Sequence, residues 1–353
     1  MPALGAVIPR TIDEVTPAWL SGAAGLEVSD LEHTQIGQGI GVSSALYRVR
    51  LDGRGCPASV VVKLPALDEA AVFTSTILRM YIREVGFFGH LAAESPVRVP
   101  LSYHGQVDEA TSSFVVVMED LGDQRVVDQI QGMSIADAEQ AVDELAAWHA
   151  TWWGRAEDLV DRGLTVSLAD PIYPAVLPLV FGEGWAKVTE AMDVPDAILA
   201  VGPRFSAAIP GLMLDLSNGP TTMIHGDYRA DNMLFDADGR VSLLDFQLIG
   251  TGSAVYDLAY FVTQSLARDV AAEHERSLFE RWIEQLRSCG VAAADLTGMW
   301  DGYRKAALFC LVYPIVASRG MDLDDPRQHA LVACMNSRFE RAVEELELAD
   351  LLE

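Results

Sequence analysis

The first part of the chain distributes its hydrophobic residues in the way that β-strands do. Residues 45–51 alternate apolar and polar side chains, and a glycine-containing turn at 52–55 leads into the apolar run 59–64. Two such runs joined by a turn predict an antiparallel hairpin. Residues 70–93 repeat apolar side chains at helical spacing, which predicts one helix, and the run 114–118 predicts a buried strand.

The pattern becomes mostly helical in the second part of the chain. The segment from Ser134 to Trp153 predicts an amphipathic helix, because Ser134 is a good N-cap and acidic residues follow in the first turn. Short strands are expected at residues 223–224, 232–235 and 241–244.

These elements predict an α+β architecture of two lobes. Residues 1–118 are expected to form a small antiparallel sheet with one helix, residues 119–123 a hinge, and residues 124–353 a larger, mostly helical lobe.

Composition narrows the class of protein. Half of the 353 residues are hydrophobic, which is enough for a large core. The longest apolar run, 306–317, is shorter than the ~18 residues that a membrane helix needs, and it predicts a buried helix. No signal-like segment opens the chain, and the four cysteines are scattered. We therefore expect a cytoplasmic protein with reduced thiols.

The formal net charge of −26 argues against two kinds of partner. Nucleic acids and anionic membranes both attract clustered lysine and arginine, so we expect neither as a partner. The acidic excess fits a cationic acceptor or a solvated surface that keeps the protein soluble. The oligomeric state stays open.

The most informative motif is HGDYRADN at residues 225–232, followed by an aspartate at the end of an apolar run. Asp227 is a candidate general base for a hydroxyl group. Asn232 and Asp245 offer the hard oxygen ligands that Mg²⁺ takes when it is bound to a nucleotide triphosphate. The pattern predicts phosphoryl transfer from ATP with Mg²⁺.

Two charged residues near this motif have alternative interpretations. Arg229 is expected to neutralise charge on the phosphoryl group, or to form an ion pair with Asp231 or Asp236. Asp257 lies near a helix start and is interpreted as structural, accepting hydrogen bonds from the backbone of the catalytic loop.

The first lobe supplies a candidate phosphate-binding lysine. Lys63 ends a buried apolar strand, and Glu84 lies on the following helix. A strand lysine paired with a helix glutamate positions phosphates in protein-kinase-like sites. Lys63 as an ordinary solvated charge, and Arg83 as the partner of Glu84, are the alternatives.

A glycine-rich segment precedes the Lys63 strand. Gly37, Gly39 and Gly41 followed by Ser43 and Ser44 allow backbone N–H groups and hydroxyls to approach phosphates. An ordinary turn is the alternative.

The predicted hinge offers a surface for an adenine base. We expect free backbone groups at residues 119–121, including Glu119 and Leu121, to pair with the edge of the base, and Met118 to pack against it.

The motifs together resemble the aminoglycoside phosphotransferase and choline kinase group of the protein-kinase-like fold. HGDYRADN and the later LLDFQLIGTGSAVYDLAYF carry the resemblance, which extends from Gly37 to Asp257. VMEDLG and ELAAWHATWW are similar to the hinge and the following helix of the ecdysteroid-kinase-like "phosphotransferase family" branch, which includes the kinase-like module fused to some acyl-CoA dehydrogenases. The resemblance implies a bilobal kinase with a nucleotide-binding lobe and a catalytic, acceptor-binding lobe.

The resemblance also implies roles for single residues. Asp227 corresponds to the catalytic aspartate, Asn232 and Asp245 to the Mg²⁺ ligands, Lys63 to the phosphate-holding lysine and Glu84 to its helix partner. The sequence departs from protein kinases after Asp-Phe, where glutamine replaces the usual glycine, and no Ala-Pro-Glu element follows. A phosphorylatable activation loop is therefore not expected.

The acceptor is expected between the catalytic loop and helices at 150–215 and 296–340. Five aromatic residues either line an apolar acceptor pocket or belong to the core: Trp152, Trp153, Tyr173, Trp185 and Tyr313. The acids near the C-terminus would suit an aminoglycoside, or they form a solvated helix face.

The leading hypothesis is a kinase that uses ATP and Mg²⁺ to phosphorylate a small hydroxyl compound. The second hypothesis is an antibiotic-modifying phosphotransferase for aminoglycosides or macrolides. A nucleotide-binding pseudokinase acting as a regulatory module is the hypothesis from another class, against which the four intact residues Lys63, Asp227, Asn232 and Asp245 argue. The identity of the acceptor and the choice of ATP or GTP stay open.

Overall fold

A computed structural model describes residues 7–37 and 43–352. The chain divides into two compact units, the first made of Met1–Gln124 with Ser242–Leu248 and the second of Arg125–Val241 with Ile249–Glu353. The short segment Ser242–Leu248 therefore returns to the first unit from far along the chain.

The first unit is built on a five-stranded antiparallel sheet. Its elements are α1 (Pro17–Ala24), β1 (Glu27–Ile36), β2 (Ser44–Arg54), β3 (Ser59–Pro65), α2 (Glu69–Ile77), α3 (Met80–His90), β4 (Ser102–Asp108) and β5 (Ser113–Glu119). The strand order is β1-β2-β3-β5-β4.

The predicted hairpin is confirmed by β2 and β3. The register runs from Ala45 opposite Leu64 to Arg50 opposite Ser59. Alternate residues of β2, including Tyr47 and Val49, are buried, because successive side chains of a strand point to opposite faces. The predicted strand at 114–118 is likewise confirmed as β5.

The prediction of one helix over residues 70–93 is wrong. The segment contains two helices, α2 and α3, separated at Arg79, whose backbone has the left-handed φ of 54°. Asp68 caps α2 by accepting from the backbone N–H of Ala71. With α1, the described part of this unit has three α-helices, not the single one expected.

The second unit is mostly helical, as predicted. Its helices are α4 (Ile135–Trp152), α5 (Ala156–Asp161), α6 (Ile172–Ala191), α7 (Asp196–Asp215), α8 (Val255–Ser265), α9 (Arg268–Ser288), α10 (Met299–Phe309), α11 (Val312–Ser318) and α12 (Pro326–Glu345). Ser134 caps α4 by accepting from the N–H of Asp137, which confirms the predicted cap.

Short strands connect these helices. They are β6 (Arg125–Val126), β7 (Val166–Ser167), β8 (Thr222–Ile224), β9 (Met233–Phe235), β10 (Val241–Leu243), whose last two residues belong to the first unit, and β11 (Gly250–Gly252). Strand β11 lies between β7 and β8, and β6 pairs with β9. The three predicted short strands are confirmed with small shifts in their bounds.

Two apolar segments differ from the expectations. The run 306–317 is not one helix, because α10 ends at Phe309 and α11 begins at Val312. Helix α7 is long and apolar enough by composition to cross a membrane. It packs against α6, α10 and α12, and the core helices of globular proteins meet the same criterion.

Helix α8 lies in the middle of the second unit, and all of its residues are buried. A helix that is buried on every side is normally apolar all round. Helix α8 nevertheless carries Asp257 and Tyr260, whose polar groups need partners inside the protein. These partners identify the candidate site.

Candidate active site

The loop that follows β8 carries the predicted base. Strand β8 ends at Ile224, and residues His225, Gly226 and Asp227 follow it directly. Gly226 has a left-handed φ of 80°, a conformation that glycine adopts without a steric penalty. This turn presents Asp227 at the start of the loop that leads to β9.

Asp257 of α8 fixes the backbone of this loop. Its carboxylate accepts from the N–H of His225 at 2.6 Å and from the N–H of Gly226 at 2.9 Å. The buried His149 lies 3.1 Å away through Nε2, while its Nδ1 accepts from the indole N–H of Trp282 at 3.2 Å. The Trp282 bond assigns the remaining ring proton to Nε2, so His149 donates to Asp257. The predicted structural role of Asp257 is confirmed.

Three side chains of the second unit hold the Asp227 carboxylate. Oδ1 accepts from the Tyr260 hydroxyl at 3.0 Å and from Arg229 Nε at 3.2 Å. Oδ2 accepts from the Asn232 amide nitrogen at 2.7 Å. Because Asn232 donates through its nitrogen, its carbonyl oxygen keeps the character of a metal ligand.

Arg229 forms the ion pair with Asp231 that was one of its two interpretations, and its action on a phosphoryl group stays a prediction. It donates to Asp227 and also forms an ion pair with Asp231, whereas Asp236 pairs with Arg240. Burial disfavours the Arg229 cation, but Asp227, Tyr260 and Asp231 raise its pKa above the ordinary value. Arg229 is therefore a fixed positive charge beside Asp227.

Two aromatic residues stack at this loop. The rings of Tyr260 and Tyr313 lie parallel, with centroids 3.6 Å apart. The Tyr313 hydroxyl donates to the carbonyl of Gly226 at 3.1 Å and also contacts the hydroxyl of Tyr256. Sequence reasoning missed Tyr260, although its position three residues after Asp257 places both on one face of α8.

Lys63, Glu84 and Asp245 come together in the first unit. Lys63 Nζ lies 2.8 Å from Glu84 Oε1 and 3.1 Å from Asp245 Oδ1. The predicted pair of strand lysine and helix glutamate is present, and Arg83 donates instead to the carbonyl of Leu78. Lys63 is buried, so it is not the solvated charge of the alternative interpretation.

The charges of this group shift one another's protonation. Burial raises the pKa of Glu84 to about 7, against the lowering effect of Lys63. Burial alone would lower the pKa of Lys63, but Asp245 and Glu84 raise it above the ordinary value. Lys63 is therefore held as a cation between two carboxyl groups.

The segment around Asp245 is anchored to α3. Phe246 stacks on Phe87 with ring centroids 3.7 Å apart. Asp245 itself has a positive φ of 62°, which is uncommon outside glycine and occurs where surrounding structure imposes it. Its side chain is about one third exposed, which leaves it accessible to a cation.

The end of the glycine-rich segment is tied to the same region. The Ser43 hydroxyl donates to Oε1 of the buried Gln247 at 2.6 Å, and the Ser43 carbonyl accepts from the Tyr81 hydroxyl at 2.9 Å. Gly37 has a left-handed φ of 65° at the end of β1. Ser44 begins β2 and pairs with Pro65. Gly39 and Gly41 lie outside the described residues.

The backbone at residues 119–121 is only partly free, which corrects the expectation for the hinge. The N–H of Glu119 donates to the carbonyl of Leu101 at 2.8 Å, and the carbonyl of Leu121 accepts from the N–H of Gln124. The Glu119 carboxylate pairs with Arg98. Met118 is half-buried at the end of β5.

The chemistry of Asn232 and Asp245 fits Mg²⁺ bound together with phosphates. Both supply hard oxygen atoms, which Mg²⁺ prefers. Within residues 7–37 and 43–352, no three or more His, Cys, Asp or Glu side chains form a group that could hold a metal ion. Mg²⁺ keeps several water or phosphate oxygens among its ligands when a protein supplies only one or two.

The aromatic candidates for an acceptor pocket differ in burial. Trp152 is fully buried and belongs to the core. Trp153 is half-buried and donates to Asp295, while Tyr173, Trp185 and Tyr313 are half-buried. The C-terminal acids on α12 include Glu340 and Glu345, which pair with arginines, as expected for a helix face with ion pairs.

A family model named phosphotransferase enzyme family matches residues 32–304. The chain belongs to this family. The match includes Lys63, Glu84, Asp227, Asn232 and Asp245, and it confirms both the resemblance drawn from the motifs and the prediction of a phosphotransferase enzyme. No curated protein matches this phosphotransferase in sequence.

Solved structures share the fold of this phosphotransferase at low sequence identity. Choline kinase from Cryptosporidium parvum Iowa II is 12% identical with a TM-score of 0.55, covering 95% of this chain and 94% of that one. The GDP complex of aminoglycoside 2'-phosphotransferase-IIIa is also 12% identical with a TM-score of 0.55, covering 88% and 93%. A type I macrolide 2'-phosphotransferase is 17% identical with a TM-score of 0.52, covering 90% and 94%. These similarities confirm the protein-kinase-like fold.

Proposed function

We propose that this phosphotransferase is a kinase that transfers the γ-phosphoryl group of ATP to a hydroxyl group of a small molecule. The observation that carries the proposal is the Asp227 carboxylate, which is held by Tyr260, Arg229 and Asn232 on a loop whose backbone Asp257 fixes. A general base must be positioned before the proton transfer that it assists.

Each remaining residue has a proposed part in the reaction. Asp227 orients the acceptor hydroxyl and takes its proton, and the Arg229 cation stabilises charge beside it. Lys63 binds nucleotide phosphates, and Glu84 holds Lys63 in place, as their 2.8 Å contact supports. Mg²⁺, held by Asn232 and Asp245 when bound, would neutralise phosphate charge.

We propose the first unit as the nucleotide-binding lobe. Gly37, Gly39 and Gly41 with Ser43 and Ser44 would approach the phosphates of ATP. Met118 would pack against the base, and backbone groups of residues 119–121 other than the N–H of Glu119 and the carbonyl of Leu121 would pair with its edge. The second unit would bind the acceptor, and we expect the protein to work in the cytoplasm without a nucleic acid or membrane partner.

Antibiotics are the second candidate class of acceptor. Two of the similar structures are named as a macrolide and an aminoglycoside phosphotransferase, and the net charge of −26 fits a cationic acceptor as well as it fits a solvated surface. A resistance assay in a sensitive host, with both drug classes, tests this alternative. Growth unchanged by expression of the protein would favour another alcohol. A pseudokinase is disfavoured, because Lys63, Glu84 and Asp245 are in contact and Asp227 is held in place.

The proposal is tested by a phosphate-transfer screen with Mg·ATP against a library of alcohols, with mass-spectrometric detection of products. For any acceptor found, Asp227→Ala should lower kcat by about 10³-fold, while nucleotide affinity stays within about twofold. The matched control is Asp238→Ala, since Asp238 is an exposed aspartate whose ion pair among the described residues is with Arg240. Near-normal turnover of Asp227→Ala would exclude Asp227 as the base.

A further inference from the structure

The inference concerns which oxygen of Asp227 takes the proton, and it rests on the proposed function. An ionised carboxylate offers about four lone-pair sites, two on each oxygen. Among the described residues, Tyr260 and Arg229 both donate to Oδ1, and Asn232 donates to Oδ2. Oδ1 is therefore saturated, and one lone pair remains on Oδ2.

The Tyr260 hydroxyl is suited to a permanent place on Oδ1. Tyr260 lies on the fully buried helix α8, and its ring stacks on Tyr313 at 3.6 Å. Tyr313 is itself bonded to the carbonyl of Gly226, in the same loop. Burial, reinforced by Asp227, raises the pKa of Tyr260 well above the ordinary value, so its hydroxyl stays protonated and donates.

We propose that Tyr260 is a positioning residue that, with Arg229, occupies Oδ1 of Asp227 and so directs the acceptor hydroxyl to Oδ2, beside Asn232. In the transfer, the acceptor oxygen forms a bond to the γ-phosphorus, and its O–H bond breaks. The proton passes to Oδ2, and the bond from the γ-phosphorus to the bridging oxygen breaks, with its electron pair leaving on ADP.

The hydrogen bond between Tyr260 and Asp227 is tested by a measurement that does not depend on activity. Thermal unfolding is compared for four proteins: wild type, Tyr260→Phe, Asp227→Ala and the double variant. Tyr260→Phe should lower the Tm of the wild type by about 2–4 °C. It should not lower the Tm of Asp227→Ala, because the hydroxyl then has no carboxylate to bind. Equal lowering in both backgrounds would overturn the hydrogen bond on which the inference depends.

The matched control is Tyr303→Phe in the same two backgrounds. Tyr303 is a fully buried tyrosine that also donates to a carboxylate, Glu275, at 2.6 Å. Its removal should lower the Tm by similar amounts with and without Asp227, because the two sites share no partner.

The positioning role is tested by kinetics with Mg·ATP and either an acceptor from the screen or water, followed as formation of ADP, which both reactions release. Tyr260→Phe should lower kcat about tenfold and leave the KM for ATP within about twofold, whereas Tyr303→Phe should leave both nearly unchanged. An unchanged kcat in Tyr260→Phe would overturn the role even if the hydrogen bond is present. Undiminished ADP formation by Asp227→Ala, or none by the wild type with any acceptor or with water, would instead overturn the proposed function.

Discussion

The two units hold their candidate site residues by different physical means. In the first unit, the buried Lys63 is compensated by two carboxyl groups, so charge balances charge. In the second unit, the buried Asp257 accepts from two peptide N–H groups and from His149, none of which needs to be ionised. One arrangement balances charge with charge, and the other satisfies a carboxylate with hydrogen-bond donors.

The difference matters for what each arrangement can do. A lysine held by side-chain charge alone can exchange an anionic partner for phosphate oxygens when a nucleotide binds. A carboxylate held by backbone donors keeps the loop of Asp227 fixed before any substrate arrives. Such a preorganised base needs no rearrangement at the moment of reaction. The variants below test this contrast, from the largest expected effect to the smallest.

Removal of the lysine should be the most destabilising change. Lys63→Met leaves Glu84 buried beside Asp245 without a cation, so the free energy of unfolding at pH 8 should fall by about 4 kcal/mol. Urea denaturation measures the loss. The control is the double variant with Glu84→Gln, which removes the uncompensated charge and should recover part of the loss. If the double variant is less stable than the single one, the charge-balance account is wrong.

The neutral-donor arrangement is tested by Asp257→Asn. An asparagine has one acceptor oxygen, so at least one of the three donors should lose its partner, and the free energy of unfolding should fall by about 3 kcal/mol. Phosphate transfer should fall with it. Asp215→Asn is the control, because Asp215 is a half-exposed aspartate paired with Lys305 and should cost under about 1 kcal/mol. Equal losses of stability at both positions would contradict the role of Asp257 in fixing the backbone of the loop.

The pH dependence of the free energy of unfolding should distinguish the two units. The pKa of Glu84 is raised from 4.5 to about 7, so the folded protein binds more protons than the unfolded chain between these values. Stability from this group is therefore present below pH 4.5 and is lost as pH rises through about 7. Glu84→Gln should remove about 2 kcal/mol of this pH dependence, measured by urea denaturation at pH 5 and pH 8. If the wild type and Glu84→Gln showed the same dependence of stability on pH, a raised pKa of Glu84 would be excluded.

The smallest effect is expected at the contact between Ser43 and Gln247. Ser43→Ala removes the donor and leaves Gln247 Oε1 without its hydrogen bond, which should cost about 1 kcal/mol. Gln247 Nε2 has no hydrogen-bond partner among the described residues, so Gln247→Met in the same chain should restore stability. Thermal unfolding of the single and double variants measures both changes. No recovery in the double variant would show that Gln247 acts through another contact.

The sequence predicted those parts of the site in which residue type and element together restrict the chemistry. Lys63 lies on the buried strand β3 and Glu84 on helix α3, so each needs the charge of the other. Asp257 follows from the same reasoning, because a carboxylate on an apolar helix requires donors. The architecture was predictable as well, since strand and helix periods differ strongly between the two parts of the chain.

Other contacts left no signal in the sequence. The apolar spacing continues through residues 70–93, so the break at Arg79 is set by tertiary packing and not by the local pattern. Tyr260 is typical of a core aromatic until the fold brings its hydroxyl to Asp227. The N–H of Glu119 was expected to be free. Its bond to the carbonyl of Leu101 joins two residues that are not adjacent in sequence, and the local pattern does not reveal such a bond.

The backbone hydrogen bonds to Asp257 also limit which substitutions the catalytic loop tolerates. Two of the three donors to Asp257 are peptide groups of residues 225 and 226, and every amino acid except proline has one. At position 226 the left-handed backbone adds a preference for glycine. The hydrogen bond from residue 225 to Asp257 therefore does not depend on the His225 side chain, whose Nδ1 accepts separately from the N–H of Asp227 at 3.3 Å. A proline at position 225 would remove the bond to Asp257 while leaving every acidic residue of the motif intact.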